Sequence, residues 1–154
     1  MKHFLVASVA ALLSTSVFAF EISEGMLNGF LETKLAEKRF SDLQLTSPKL
    51  SLQNGYATFC TGAHPRVYPK DIHFCANLTP LWRQATGSLL ATRMSLVSLD
   101  VPGVDAQQLE LVKALLNQGI LPGLDGIEIY KANNAIGKQI SSITVMPGWL
   151  DLSL

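Results

Sequence analysis

Lys49-Leu50-Ser51-Leu52-Gln53-Asn54-Gly55-Tyr56-Ala57-Thr58-Phe59-Cys60-Thr61 is the stretch on which the fold turns. Asn54-Gly55 is a hairpin signal, because a two-residue type I′ turn needs positive φ at both central positions. Such a turn sets Gln53 against Tyr56, Leu52 against Ala57 and Leu50 against Phe59. A second hairpin turning through Pro65–Pro69 then sets Cys60 opposite Cys75, Phe59 opposite Ala76 and Ala57 opposite Leu78. The apolar face stays in phase over three strands. Leu50, Leu52, Ala57, Phe59, Phe74, Ala76 and Leu78 fall inward, while Lys49, Ser51, Gln53, Thr58, Cys60, His73, Cys75 and Asn77 fall outward.

This register makes Cys60 and Cys75 cross-strand neighbours, and an oxidising compartment would join them as a disulfide. Closing that loop stabilises by about 3 kcal/mol in the chain-entropy model. Cys60, His64, His73 and Cys75 also resemble the donor set of a two-cysteine, two-histidine zinc site. Their spacing matches no zinc module, so no metal is assigned, and His64 and His73 are taken as solvated side chains.

Outward from the hairpins lie two helices. Ser23 can cap a helix running to about Lys38, with Met26, Leu27, Phe30, Leu31 and Leu35 at helical spacing. Gly25 and Gly29 each cost about 1 kcal/mol there relative to Ala, which points either to close helix–sheet packing or to space left for a ligand. Asp105 with Gln108 forms a capping box, and Val104 can staple onto Leu109. That second helix is expected to end at Gly119, before Pro122. Leu109, Leu111, Val112, Leu115, Leu116 and Ile120 cover more of its circumference than one sheet contact requires.

Between the helices runs a long strand, about 88–101, apolar on both faces: Leu90, Met94 and Leu96 on one, Leu89, Ala91, Val97 and Leu99 on the other. Alternation leaves its phase open and allows a bulge. Segments 126–132, 140–146 and 149–154 read as closing strands, the last two joined through Pro147-Gly148. With a short N-terminal strand, the pattern predicts an α+β fold in which the helices cover one face of a curved antiparallel sheet.

The N-terminus gives an address. Lys2 and His3 precede a mostly apolar run, Phe4–Val17, and Val17-Phe18-Ala19 fits a signal-peptidase site. Residues 1–19 therefore read as a signal peptide, with the mature chain starting at Phe20 as one domain, 20–154. That run is too short for a bilayer span, which takes about 20 apolar residues, and no cysteine follows the cut to carry a lipid anchor. A soluble periplasmic product is expected. Loss of Lys2 leaves 11 basic against 12 acidic residues, a balance without the basic excess that nucleic-acid binding uses. Charged residues are 16% of the chain, below the usual value of about 25%.

The early amphipathic helix, Thr79-Pro80-Leu81-Trp82, the late helix, Gly126-Ile127-Glu128-Ile129-Tyr130 and the terminal Pro147-Gly148 hairpin together resemble the YceB-like DUF1439 periplasmic family, over nearly all of the mature chain. That family is similar in fold to the tubular lipid-binding (TULIP, BPI-like) superfamily, and the resemblance implies a strongly curved antiparallel sheet with the two helices packed on its concave face. The resemblance implies that an acyl chain or phospholipid is bound between helices and sheet, without cofactor or catalysis. This chain departs from the family in lacking the lipoprotein cysteine.

Candidate lining residues are Met26, Gly29, Phe30 and Leu31 from the first helix, Val112, Leu115 and Leu116 from the second, and Phe59, Phe74 and Leu96 from the sheet. A second expectation is an envelope accessory protein that docks a protein partner through a strand edge or apolar patch. Against an enzyme stands the lack of any Gly-x-Ser-x-Gly or His-Glu-x-x-His run.

Overall fold

The computed structural model describes residues 19–37, 43–65, 70–132 and 135–154. Residues 1–18, which hold almost all of the expected signal peptide, lie outside it, as do Lys38 and most of the turn expected at Pro65–Pro69. In chain order the elements are β1 (Ala19–Ser23), α1 (Glu24–Glu37), β2 (Leu43–Leu52), β3 (Ala57–Pro65), β4 (Ile72–Arg83), β5 (Ser88–Asp100), α2 (Ala106–Leu115), a π-helical turn (Leu116–Ile120), α3 (Leu121–Leu124), β6 (Glu128–Lys131), a 3-10 turn (Ala135–Gln139), β7 (Ser142–Met146) and β8 (Trp149–Ser153). The fold is α+β. Strands β2-β3-β4-β5-β6 form an antiparallel meander curled into a half-barrel, and β1-β8-β7 form a separate three-stranded sheet.

The hairpin register agrees with the sequence pattern at each expected pair: Leu50↔Phe59, Leu52↔Ala57, Phe59↔Ala76, Ala57↔Leu78 and Cys60↔Cys75. The turn itself differs. Gly55 has φ 88°, but Asn54 does not take positive φ, so the turn is not type I′. Its backbone is held from outside, because Gly55 donates to the Val145 carbonyl (3.0 Å) and Gly148 donates to the Leu52 carbonyl (3.3 Å). The β7–β8 hairpin thus grips the β2–β3 hairpin. β2 also begins earlier than expected, passing through a bulge between Thr46 and Lys49 where Ser47 has φ 49°.

Bulges also decide the phase of β5. The β4–β5 register shifts between Cys75 and Ala76 and again between Asn77 and Thr79, and Arg93 takes φ 54°. Each shift lets successive apolar residues share a face and bends the strand. Leu89, Ala91, Leu96 and Leu99 pair with Trp82, Pro80, Ala76 and Phe74 respectively, so all four look into the curl. The expected split, with Leu96 opposite Leu89 and Leu99, is therefore corrected.

Helix α1 closes the open side of the half-barrel. Ser23 Oγ accepts from Met26 N–H (3.2 Å) and caps it, and Leu27, Leu31 and Leu35, four apart, are buried. The helix touches both edge strands, β2 and β6. On β2, Leu50 and Leu52 sit at positions whose N–H and C=O groups point away from β3, because Cys60↔Cys75, with Cα atoms 4.1 Å apart, is a non-hydrogen-bonded pair and fixes the alternation. Helix side chains satisfy those groups. Asn28 accepts from Leu50 N–H (2.7 Å) and donates to the Leu50 carbonyl (2.9 Å), and Glu24 accepts from Leu52 N–H (2.9 Å). On β6, Glu128 meets Lys34 (3.9 Å) and accepts from the buried Ser88 hydroxyl (2.8 Å), while Tyr130 lies 5.9 Å from the Phe30 ring.

The second helical segment runs past its expected end. Gly119 does not terminate it, and the chain stays helical to Leu124. The reason is the π-turn, in which Leu121 N–H reaches the Leu116 carbonyl. Pro122 has no N–H to donate and would crowd the carbonyl four residues back, and a widened turn just before it relieves that conflict. Leu116, Ile120, Leu121 and Leu124 are buried, whereas none of the ten residues of α2 is.

Candidate functional site

Between α1, the inner face of the half-barrel and the segment after α2 lies a narrow crevice of about 10 Å³. Its walls are apolar throughout: Leu31 and Leu35 from α1, Leu50, Phe59 and Leu78 from the sheet, and Leu124 and Ile129 beyond the π-turn, with Met94 at its margin. That volume is room for about one water. Side chains fill most of the interior, and Phe59 and Phe74 meet edge to face with centroids 6.4 Å apart.

The residues expected to line a ligand site divide into three groups. Leu31 and Phe59 face the crevice, and Phe74 and Leu116 are buried in the continuous core. Leu96 and Val112 are half-buried against that core, and Phe30 leans on Tyr130 at the β6 edge. Met26 (52% exposed), Gly29 and Leu115 (52% exposed) are not brought to the interior. The inward turn of Leu27-Leu31-Leu35 swings Met26 and Gly29 outward, so the Gly29 reading, whether as close packing or as ligand space, gives way: nothing lies within 4 Å of where its Cβ would be. The sequence analysis does not name Leu124, Ile127 and Ile129 as lining residues: Leu124 lies past the expected helix end, and Ile127 and Ile129 fall in the closing strand expected at 126–132, whose inner face the sequence leaves unassigned.

On the outer face, Cys60 and Cys75 stand opposite one another with sulfurs 2.07 Å apart, at disulfide distance. Cross-strand rows run Lys49, Cys60, Cys75, Ser98 and Thr46, Gly62, His73, Asp100. They border an open groove of about 420 Å³ at the far end of the half-barrel. His64 Nδ1 lies 2.6 Å from an Asp71 carboxylate oxygen. Among the described residues, no three His, Cys, Asp or Glu side chains converge as metal ligands, and no helix is long and apolar enough to cross a membrane. No protein-family model matches the chain, and no curated protein sequence does either.

Proposed function

We propose that the protein is an exported binding protein that holds an apolar chain, an acyl chain or a phospholipid tail, between its helices and the half-barrel. The observation that carries this reading is the crevice walled by apolar side chains alone, half-buried Met94 of β5 among them, with half-buried Leu96 and Leu99 further along the same strand. Binding sites for apolar ligands have this composition. The crevice is nearly closed, so a chain must displace side chains to enter. The Cys60–Cys75 pair supports export, since such bonds persist in oxidising compartments, and N-terminal sequencing of envelope protein should begin at Phe20.

The test is uptake of a fluorescent fatty acid by the purified protein, with native mass spectrometry of lipid extracted from envelope material. Met94→Trp should abolish uptake by filling the mouth and leave the thermal midpoint close to the original, because Met94 is only half-buried. Absence of uptake by the original protein, with no co-purifying lipid, overturns the reading. A second reading, docking of a protein partner, is favoured by Leu111 (67% exposed) and Leu115 on α2 and by Val97 on β5. Co-purification of a defined envelope protein, lost on Leu111→Glu, would put it ahead.

A further inference from the structure

We propose that α2 is a hinged lid over the far end of the apolar interior, and that its displacement admits the ligand chain; this rests on the apolar-chain reading above. The nearly closed crevice requires an entry route, and α2 is the element least attached to the body. None of its residues is buried. Its inward contacts are the half-buried Leu109 and Val112. Among the described residues, no hydrogen bond or ion pair ties Ala106–Leu115 to the sheet: the Lys113–Glu110 contact (3.3 Å) and the capping bonds all stay within the helix and its cap.

The helix is closed at its start by its own residues. Asp105 accepts from Gln108 N–H (2.8 Å), and Gln108 accepts from Asp105 N–H (3.4 Å). Its cap is therefore made by its own residues and not by the sheet, which lets it move as a unit. Both ends offer a pivot. Before it lies Pro102-Gly103, where Gly103 takes φ 72°, a conformation in which glycine turns freely. After it comes the π-turn with Gly119, a widened and less regular hydrogen-bond ladder. Leu116 and Ile120 at the two ends of that turn, and Leu121 and Leu124 beyond it, anchor the chain in the core, so the pivot lies where α2 meets the turn.

The course of the chain fits a lid here. α2 begins just past the end of β5, Leu109 and Val112 rest against the core, and the π-turn that follows touches β5, so we infer that the helix lies over the far half of that strand. There β6 gives no cover, since it pairs only with Ser88–Leu90. Met94, Leu96 and Leu99 face inward on this stretch and are half-buried. Swinging α2 outward would turn them into an apolar landing strip leading to the crevice.

Spin labels test this in the full chain, because among the described residues both cysteines are paired and introduced thiols can be labelled without reductant. Gln107→Cys with Glu32→Cys reports α2 against α1; Thr79→Cys with Glu32→Cys reports the sheet against α1. All three sites are exposed. Palmitate is the probe, and its binding is followed by calorimetry. The expected result is a broad or two-peaked distance distribution for the first pair, shifted outward by at least a helical turn, about 5 Å, when palmitate binds, and a narrow, unmoved distribution for the second. A narrow first-pair distribution that palmitate leaves unchanged while it binds overturns the lid and leaves the binding reading intact. A two-peaked first pair in a protein that binds no palmitate upholds the hinge and overturns the ligand reading on which its purpose rests.

Discussion

Helices α1 and α2 have similar apolar content and opposite standing in the molecule. α1 seats Leu27, Leu31 and Leu35 in the core and sends Asn28 and Glu24 to the exposed backbone of β2, so it is fixed by packing and by hydrogen bonds whose absence would leave strand groups unpaired. α2 has a complete capping box and no buried side chain. Good local signals make a helix; they do not make it part of the core. A body-anchored helix beside a self-contained one also divides labour: α1 holds the two edges of the half-barrel together, and α2 is free to respond.

The contrast is sharpest in the leucines. Leu31→Ala should destabilise by about 2–5 kcal/mol, the range for deleting a buried leucine, measured by chemical denaturation. A loss below about 1 kcal/mol would break the claim that α1 is core. Next in size is Asn28→Ala, which removes both partners of the Leu50 backbone and should cost about 1–3 kcal/mol for the groups left unpaired. Amide exchange should show Leu50 as the site of lost protection.

Smaller and opposite in sign, Gly29→Ala should raise stability by about 1 kcal/mol, because the position is exposed, helical and open. Fatty-acid uptake should be untouched; a destabilised variant would mean that α1 sits closer to its surroundings than the structure has it. The smallest effect belongs to α2. Leu111→Ala should change global stability by no more than about 0.5 kcal/mol, as exposed positions do, and a loss comparable to that of Leu31→Ala would erase the difference between the helices.

Much of the fold is legible in the sequence. Period-two alternation from Lys49 to Leu78 places the three-stranded register and the Cys60–Cys75 pair, because one residue of slip would turn every apolar side chain outward. Ser23 and Asp105 mark the helix starts, since capping is a bond between near neighbours. Less of the candidate site can be read. Of the residues picked out by periodicity, Leu31 and Phe59 line the apolar crevice while Met26, Gly29 and Leu115 face away from it, because a helical repeat says that a stripe exists and not which part of it meets a partner.

What the sequence determined by itself was local and periodic: strand phase next to a turn, helix starts, the cysteine pairing, and an α+β order of elements. Tertiary structure alone decided the rest. The two β4–β5 register shifts set which face of the two-sided strand β5 is inner, and together with the β2 bulge at Ser47 they bend the sheet into a half-barrel. Grip by the β7–β8 hairpin replaced the expected turn conformation at Asn54. The pairing of Asn28 with the Leu50 backbone joins residues 22 apart in the chain. None of these leaves a repeating signature, because each depends on where a distant segment arrives, and that position is set by the packing of the whole core.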